Sequence, residues 1–595
     1  MNMQNDNIVY WRKNQVAIVV NTNSPLEPHV LLNPELDPVW TNIRAAFKGD
    51  VVAPEALSNL DLNHMQTFVY PSSRVYFARC TPPEQGNADL SGIDYTFGVL
   101  KKLEDVKEKS GHDYSVMPNW LNSGVDNTHG CPVGPPFPVK RLEGRGRYTI
   151  NLQELPDNLQ SAKGKNVTVF VLDTLPPINQ VKTAADKADD YNMLLKEMVV
   201  GMKDTEPNNV VNASPPAIKL NYSFNDIIPA PTDSAKTGKD IYGRLVGFPM
   251  EDHGLAIAGI LRDLAPQATI ECIRVLNDYG VGDLHTLLLA LDYIYKLILK
   301  HDESLKLPVV INMSLVWLPP EHDIHDGSLP GIEDIIARSK EIFHSILTQP
   351  GFDAIFVASS GNDSDPRDAM MNPSEVRFSP RYPAAFADDE KYKMDTMIPV
   401  GAVNKDKKAA SYSNYPGQSG IATYGGELPK PRPWLPGALS HAKTHVDAAS
   451  VDAIRGIYTA EEYPALSMND EKSGNQEGNA PQGMSMEYPM YRAPNTRAWA
   501  YWSGTSYAAP IISALAARVI ECERAGASSN KRDRSIRDII SDVAKERQEL
   551  WTRVVEYNEM GGSPEMSQPK DLKPEDLKGK MILAVQEWCP GERNK

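Results

Sequence analysis

Four polar side chains, far apart along the chain, have the types that catalysis by a serine nucleophile requires. They are Asp173, His253, Asn362 and Ser506. A serine hydroxyl becomes a good nucleophile when an imidazole takes its proton and a carboxylate holds that imidazole in the right tautomer. An amide donor can then stabilise the oxyanion that forms on the substrate. The four residues together predict acyl transfer, provided that the fold brings them to one place.

The sequence around Ser506 predicts a turn that runs straight into a helix. Gly504-Thr505-Ser506 precedes an Ala-rich apolar stretch that continues to Val519. A serine placed there would lie at a helix N-terminus, where backbone N–H groups and the helix dipole favour negative charge. Pro510 fits this interpretation, because a missing N–H costs little in the first helical turn. Taken alone, however, Ser506 is better explained as an ordinary helix N-cap.

The other three residues lie at predicted strand ends or at a predicted helix start. Asp173 follows the apolar run 167–172, Asn362 follows the apolar run 354–358, and His253 directly precedes a helical pattern. Each of them singly has a structural explanation, as a buried carboxylate, a turn residue or a capping residue. Because active groups of doubly wound sheets gather at the carboxyl ends of the strands, we expect the four side chains to lie close together.

Buried-strand patterns alternate with helical patterns from residue 166 onward, which predicts an α/β domain with a right-handed, doubly wound, mostly parallel sheet. Further strands are predicted at Thr269 to Val275, Pro308 to Met313, Ala354 to Ala358 and Met397 to Val403. Helices are predicted at Gly254 to Leu264, Asp283 to Lys300, Gly331 to Leu347 and Ser535 to Tyr557. Two insertions interrupt the alternation. The first, near residues 176–250, contains a predicted helix at Lys182 to Met202; the second, near residues 427–498, is rich in Pro, Gly and polar residues and predicts surface loops.

Residues 1–120 predict a separate small α+β domain with the order strand, helix, two strands, helix, strand, which is the ferredoxin-like pattern. Its elements are predicted at Gln15 to Asn21, Pro34 to Phe47, Thr67 to Val69, Arg74 to Arg79, Tyr95 to Lys109 and Tyr114 to Val116. Residues 121–165 are rich in Pro and Gly with a basic run, and predict a linker. The main domain is then expected at 166–560, followed by a polar C-terminal tail at 561–595.

The composition excludes several classes of partner. The 595 residues carry 61 Lys and Arg against 77 Asp and Glu, a net charge of −16, which argues against nucleic-acid binding and against a basic membrane-surface protein. The five cysteines are scattered without a CxxC spacing, so neither a disulfide framework nor a zinc site is expected, and a reducing compartment is favoured. We see no signal peptide and no stretch long enough to span a membrane, and we expect a cytoplasmic protein without a cofactor.

With these motifs combined, the chain resembles the subtilisin-like serine proteases (subtilases), whose catalytic residues follow the order Asp, His, Ser. The segments that carry the resemblance are the aspartate motif at 171–174, the histidine motif at 253–259, the serine motif at 504–510 and the oxyanion asparagine segment at 359–362. The resemblance spans about residues 166 to 545. It implies a serine endopeptidase with an Asp173, His253 and Ser506 triad and with Asn362 in the oxyanion hole.

The resemblance also implies where a protein or peptide substrate would bind by strand addition. The residues concerned are Ser314, Leu315, Val316, Gly280, Gly282, Ser360, Gly361 and Asp363. The acidic residues Asp363, Asp365 and Asp368 suggest a hypothesis of preference for Arg or Lys before the scissile bond. No metal site is implied, because the chain passes through Ala265-Pro266 where many subtilases insert a calcium-binding loop.

Many subtilases carry a ferredoxin-like propeptide that covers the active site. The stretch Val116-Met117-Pro118-Asn119-Trp120 resembles the end of such a propeptide. The resemblance therefore implies that residues 1–120 act as an intramolecular inhibitor, and it makes Arg145 and Arg147 candidate sites of self-cleavage. A fused binding domain of the same topology is the alternative.

Two departures from the family pattern leave other functions open. Val316 stands where a glycine is usual in the substrate-binding strand, and Leu175-Pro176-Pro177 replaces a Gly-containing turn. Both departures are compatible with a proteolytically silent binding or scaffold protein on the subtilisin fold. An esterase or a transpeptidase that uses the same triad is a third candidate.

Overall fold

The computed structural model of the chain describes most of the main domain and part of the N-terminal domain. The described residues are 11–21, 60–61, 67–69, 73–80, 96–110, 114–123, 136–139, 144–200, 218–229, 250–300, 305–318, 332–364, 377–427, 452–463, 494–526, 534–548, 550–551, 554–555 and 578–591. Within these ranges, none of the helices combines the length and the apolar character that crossing a bilayer would need.

The described residues form the following strands and helices. The strands are β1 Trp11–Asn21, β2 Leu60–Asp61, β3 Thr67–Val69, β4 Ser73–Cys80, β5 Tyr114–Ser123, β6 Phe137–Pro138, β7 Gly146–Leu152, β8 Thr168–Asp173, β9 Lys219–Asn221, β10 Thr269–Arg274, β11 Val281–Asp283, β12 Val309–Met313, β13 Val316–Trp317, β14 Ala354–Ser359, β15 Arg377–Phe378, β16 Met397–Val403, β17 Ile421–Tyr424, β18 Ile454–Ile457, β19 Trp499–Trp502, β20 Lys545–Arg547, β21 Val554–Val555, β22 Gly579–Met581 and β23 Ala584–Pro590. The helices are α1 Thr96–Ser110, α2 Asp157–Ser161, α3 Ile178–Ala188, α4 Met193–Val199, α5 His253–Leu264, α6 Leu284–Leu299, α7 Ile332–Leu347, α8 Thr505–Ala525 and α9 Ile536–Val543.

A central sheet organises the main domain, as the alternating pattern predicts. Its strand order within the described residues is β20-β22-β17-β16-β14-β12-β8-β10-β9, and every pair is parallel except β20 with β22. Strands β8, β12, β14 and β16 are buried along their whole length, as unbroken apolar runs require in a sheet covered on both faces. The predicted doubly wound α/β fold is confirmed.

Helices cover the two faces of this sheet. One core lies between the sheet and helices α5 and α8, and also takes in the antiparallel strand pair β18 and β19. The other core lies under α6 and α7 and includes apolar side chains of the N-terminal sheet, so the small domain packs on that side. The carboxyl ends of β8, β12 and β14 and the start of α8 meet at one edge of the sheet, where parallel α/β folds place their functional groups.

The N-terminal sheet is antiparallel, with the strand order β5-β1-β4-β3. This order is the one that a ferredoxin-like domain gives to its four strands, and helix α1 packs against β1 and β5. The helix predicted at 34–47 lies outside the described residues. Strand β5 does not end with the small domain, because its last residues pair with β11 and β13 of the main domain.

Some elements inside the two insertions differ from the expectation. The helix predicted at 182–202 is divided into α3 and α4 by a 3-10 turn at Asp189–Asn192. The side chain of Asn192 accepts the N–H of Leu195 and so caps a new helix, which explains the break. The interval 427–498, predicted as surface loops, contains the buried strand β18, which pairs with β19.

Segments near the C-terminus and in the predicted linker also form regular structure. The helix predicted at 535–557 ends at Val543, because the chain turns there into β20. The predicted tail supplies β22 to the central sheet and β23, which pairs with β7 from the predicted linker. These pairings join residues more than 150 positions apart, so no local pattern announces them. The boundaries between domains remain a prediction.

Candidate active site

A buried pair at the end of β8 and the start of α5 joins two of the predicted residues. The Nδ1 atom of His253 lies 2.7 Å from Oδ1 of Asp173, and the two side chains are 0% and 1% exposed. The same carboxylate oxygen accepts the backbone N–H of Thr174 at 2.7 Å. A carboxylate that accepts the Nδ1 proton fixes the imidazole tautomer, which leaves Nε2 as the nitrogen that can take up a proton.

Close backbone packing fixes the separation of these two elements. The hydroxyl of Thr174 donates to the carbonyl of Met250 at 2.9 Å and lies 3.3 Å from the backbone nitrogen of Gly254. A Cβ atom on Gly254 would lie 2.2 Å from the carbonyl oxygen of Thr174 and 2.8 Å from Cβ of Asp173. Glycine at this position therefore allows α5 to approach β8 closely enough for the His253–Asp173 contact.

If His253 and Asp173 act as the resemblance implies, we expect Gly254→Ala to reduce kcat/KM for peptide hydrolysis by about a hundredfold or more, because the added methyl group forces α5 away from Asp173 and small misplacements of catalytic groups have effects of that size. The matched control is Gly259→Ala on the same helix, whose new methyl group would meet the flexible end of Ile457 at 3.0 Å and the side chain of Leu194 at 3.6 Å. Hydrolysis of a fluorogenic peptide measures the effect, and thermal unfolding checks the fold. Equal activities of the two variants would contradict this account.

Ser506 lies in the first turn of α8 and is 2% exposed. The preceding Gly504 has φ of 152°, a conformation that favours glycine and lets the chain turn sharply into the helix. The Ser506 carbonyl accepts a hydrogen bond from the hydroxyl of Ser314 at 3.0 Å. Asn312 in turn donates to that hydroxyl and accepts from Ser513 on α8, at 3.0 and 2.9 Å. The end of β12 and the start of α8 are thus tied together by side chains.

The orientation of Asn362 follows from its contacts with the residue before Ser506. Its Oδ1 accepts the backbone N–H and the hydroxyl of Thr505, both at 2.9 Å. Because a backbone N–H can only donate, the atom facing it must be the oxygen of the amide. The Nδ2 group therefore points away from Thr505, as an oxyanion-hole donor next to Ser506 must.

Tyr507 connects the serine turn with the imidazole. Its ring lies edge-on to the ring of His253 with centroids 5.2 Å apart, and it also packs on Trp502 at 5.5 Å. The residue that follows Ser506 is therefore in direct contact with His253. Through these contacts the structure brings all four sequence-predicted catalytic residues to one edge of the central sheet.

Strand β5 lies between the two strands that the sequence analysis assigned to substrate binding. Asn122 pairs with Gly282 of β11 and with Trp317 of β13, and Ser123 pairs with Val281 and Val316. The valine at position 316 therefore accepts a neighbouring strand. Gly280, with φ of 74°, forms the turn that leads into β11, while Leu315 is buried between β12 and β13.

Buried hydrogen bonds hold the segment 360–363, which the sequence analysis assigned to substrate binding. Ser360 donates to the carbonyl of Asn414 at 3.0 Å, and the carbonyl of Gly361 accepts the N–H of Asn414 at 3.0 Å. Asp363 is buried, and its carboxylate accepts from Arg381 at 2.8 Å and from Asn414 at 2.6 Å. Arg381 thus balances the charge of Asp363. Asp365 and Asp368 lie outside the described residues.

A second buried carboxyl group lies next to His253. The carboxyl group of Asp252 accepts hydrogen bonds from the backbone N–H and hydroxyl of Thr459 at 2.8 and 2.5 Å and from the N–H of Ala460 at 3.1 Å. Burial, and to a lesser extent the neighbouring Glu251, raises the pKa of Asp252 to about 7. This anchor ties the start of α5 to the loop after β18. The sequence analysis did not predict this anchor, although the acidic pair Glu251-Asp252 directly precedes His253 in the sequence.

Sequence reasoning also missed the polar contacts between the small domain and the start of α6. The side chain of Asp283 is fully buried; its Oδ2 accepts from Arg12 at 2.7 Å and from Asn119 at 3.1 Å. The backbone N–H of His285 donates to Asn119 at 3.1 Å. Arg12 and Asp283 are 271 positions apart, and nothing in the local sequence links them.

His285 is buried by the small domain at the same contact. Its ring lies 4.4 Å from the ring of Phe77, centroid to centroid. Burial lowers the pKa of His285 to about 4; the carboxylate of Asp283 opposes this change and the guanidinium of Arg12 adds to it. The docked state therefore favours the neutral imidazole.

Solved protease structures resemble this chain at low sequence identity and with low TM-scores. A lanthipeptide protease is 17% identical over 65% of this chain and 83% of its own, with a TM-score of 0.32. The protease domain of PatA is 15% identical over 67% and 95%, with a TM-score of 0.31. A cold-adapted subtilisin-like serine proteinase is 13% identical over 71% and 91%, with a TM-score of 0.30. A search of curated proteins finds no match.

A sequence profile decides the family. The profile described as the Subtilase family matches residues 196–561, which is more than half of the chain. The matched range includes His253, Asn362 and Ser506, while Asp173 precedes it. The order of these residues, the parallel sheet and the profile agree, and the chain belongs to the subtilase family of serine peptidases.

Proposed function

We propose that the chain is a serine endopeptidase that uses Asp173, His253 and Ser506 as a triad and Asn362 in the oxyanion hole. The observation that carries this proposal is the buried His253–Asp173 hydrogen bond of 2.7 Å, on the sheet edge where the turn of Ser506 lies. His253 takes the proton of Ser506 and later gives it to the leaving amine. Asp173 stabilises the imidazolium, and Asn362 with the Ser506 backbone N–H stabilises the oxyanion.

We further propose that the N-terminal domain keeps the enzyme latent. The support is the position of β5, whose last three residues pair with β11 and whose last two also pair with β13. A substrate that binds by strand addition needs the same backbone groups, so it competes with β5. In this proposal the inhibitory unit comprises the predicted domain 1–120 and extends to Ser123, which lies between β11 and β13.

A buried charge pair is expected to hold the inhibitor in place. We expect Arg12→Ala to weaken docking, because it leaves the fully buried carboxylate of Asp283 without its cation. The matched control is Arg338→Ala, which removes the half-exposed ion pair with Glu104 of α1 in the same interface. The rate at which full-length protein gains peptidase activity measures the effect: a rise of tenfold or more is expected for the first variant only. Equal activation rates in the two variants would contradict a role for the Arg12–Asp283 ion pair in holding the N-terminal domain in place.

Acid is expected to loosen the docked domain through His285. The pKa of His285 is lowered to about 4 in the docked state, whereas an imidazole exposed by undocking returns toward 6.5. The released state therefore binds the extra proton, docking is strongest above pH 6.5, and it weakens as pH falls from 6.5 toward 4. We expect activation of the full-length chain to be about fivefold faster at pH 5.5 than at pH 6.5.

The control for this pH prediction is His285→Gln, which is neutral at every pH. Its activation rate should lose most of the dependence between pH 6.5 and pH 5.5. Asp283 and Arg12, the other charged groups against this histidine, keep their charges in that window. The same pH dependence in His285→Gln would assign the effect to another group.

Specificity for basic residues remains a hypothesis with reduced support. Asp363 is paired with Arg381, so its charge is not offered alone to a substrate. Of the two linker arginines proposed as cleavage sites, Arg147 lies in β7 and pairs with Glu197 and Asp263, which favours cleavage before this strand. A cytoplasmic site of action also stays a prediction.

Incubation of the purified full-length chain tests the proposal. Mapping of new N-termini should find cleavage between residues 124 and 144, after the end of β5 and before β7. Neither the catalytically dead Ser506→Ala chain nor a chain blocked by a fluorophosphonate should be cleaved. A chain that is neither cleaved nor labelled at any pH would support the binding or scaffold alternative. Ester turnover without peptide turnover would support an esterase.

A further inference from the structure

Asp252 stands at the N-cap of α5, but its side chain does not cap that helix. Its carbonyl accepts the first intrahelical hydrogen bond, from the N–H of Ala256 at 2.9 Å, whereas its carboxylate makes no capping bond. An aspartate at an N-cap ordinarily accepts the N–H of the second or third helical residue. Here the N–H of Gly254 faces the hydroxyl of Thr174 at 3.3 Å instead. The carboxylate of Asp252 therefore serves a contact outside its own helix.

That contact joins α5 to the loop that follows β18. The carboxylate is fully buried and accepts hydrogen bonds from the backbone N–H and the hydroxyl of Thr459 and from the N–H of Ala460. The hydroxyl of Thr459 also accepts from the side chain of Gln180 on α3, at 3.0 Å. The loop is thus fixed to the residue that directly precedes His253.

The loop after β18 is itself connected to the turn of the proposed nucleophile. The N–H of Tyr458 donates to the carbonyl of Ala498 at 3.0 Å, and β18 pairs with β19 along its whole length. Strand β19 ends four residues before Ser506. A continuous set of hydrogen bonds therefore runs from Asp252, next to His253, to the strand that leads into the serine turn.

A different contact holds the imidazole against its carboxylate, because that pair depends on the close approach of α5 to β8 at Gly254. We propose that Asp252 is a positioning residue, which places the imidazole of His253 relative to Ser506 through its acceptor bonds to the loop after β18. This inference rests on the proposed peptidase function. Asp252 acts through its neighbour and takes no part in the proton transfer, so its loss should appear in kcat.

The acceptor atoms of Asp252, rather than its charge, carry this role. Burial, and to a lesser extent Glu251, raises the pKa of Asp252 to about 7, so about half of the molecules hold it neutral at pH 7. Both backbone N–H groups of the loop bond the same atom, Oδ2, and an asparagine keeps one oxygen that can accept them. Leucine has a similar volume but removes every acceptor and leaves these N–H groups without their partner.

The experiment measures kcat and KM of four variants. Each full-length variant is allowed to activate, and its active sites are counted by exhaustive labelling with a fluorophosphonate. Asp252→Leu should lower kcat by about a hundredfold and leave KM nearly unchanged, because a misplacement of about 1 Å has an effect of that size. Asp252→Asn should stay within about tenfold of the parent, and Thr459→Val, which removes only the hydroxyl donor, should lower kcat by about tenfold.

The matched control is Asp263→Leu, which removes a buried carboxylate at the other end of α5. It should lower the temperature of unfolding and keep kcat close to that of the parent. If Asp252→Leu does not fold, Thr459→Val decides the question.

Three results overturn the positioning role and leave the peptidase proposal intact. They are a parent-like kcat in both Asp252→Leu and Thr459→Val, a kcat of Asp252→Asn as low as that of Asp252→Leu, and an equal loss of kcat in Asp263→Leu. A parent chain that is neither labelled nor able to cleave any peptide overturns both proposals.

Discussion

A Ser506→Ala chain should fold like the parent and cleave neither itself nor added peptides. We expect kcat to fall by about a millionfold, the loss known for removal of this residue in a subtilisin, because the reaction then lacks a nucleophile and keeps only the oxyanion donors and substrate binding. Thermal unfolding should change little, since a hydroxyl is replaced by hydrogen in a well-packed helix start. Peptide hydrolysis and mapping of N-termini measure the result.

Ser503 provides a matched control three residues earlier in the chain. It is 1% exposed, and its hydroxyl has no hydrogen-bond partner among the described residues. Ser503→Ala should therefore keep nearly full activity. Substantial residual cleavage by the Ser506→Ala chain would place the nucleophile elsewhere. A Ser503→Ala chain as inactive as Ser506→Ala would show that any substitution in this turn abolishes activity.

Replacement of Asp173 by asparagine should lower kcat/KM by about ten thousandfold, the size measured for the same change in another triad protease. An amide in place of the carboxylate can donate to Nδ1 of His253, which stabilises the tautomer that cannot accept the serine proton. The 2.7 Å contact and the geometry of β8 and α5 should survive the change. Hydrolysis of a fluorogenic peptide measures the loss.

The control for this prediction is Asp263→Asn, at the other end of α5. Asp263 is also a buried carboxylate, and it accepts from Arg147 and from the N–H of Ile150, both at 2.6 Å. Because it lies outside the site, its replacement should lower the free energy of unfolding without a comparable effect on kcat/KM. Loss of activity in proportion to loss of stability in both variants would argue against a catalytic role for Asp173.

The catalytic edge of the sheet could be predicted because its signals are local. The unbroken apolar run before Asp173 predicts a strand that ends at that residue, and β8 does end there. The Gly-Thr-Ser turn before an Ala-rich stretch predicts the start of α8 to within one residue of Ser506. Hydrophobic periodicity and turn residues act over a few positions, so one sequence is enough to read them.

The features that control access to the site could not be predicted, because they depend on contacts between distant segments. The end of β5 looks like the beginning of a linker until its pairing with β11 and β13 is known. The ion pair between Asp363 and Arg381 weakens the inference that an acidic residue marks a specificity pocket for basic residues, and the sequence does not show this pairing. The C-terminal strand β22 is short, and its place in the central sheet depends on partners already in position.

The role of Ser506 as the nucleophile is tested by mass spectrometry of the full-length chain after incubation with a fluorophosphonate. We expect a single adduct on the peptide that carries Ser506, and this adduct should form faster at pH 5.5 than at pH 6.5. Protein that was incubated before the probe was added should also show a new N-terminus between residues 124 and 144. Folded protein in which the N-terminal domain has been removed or released, and which still forms no adduct at Ser506, would contradict this role.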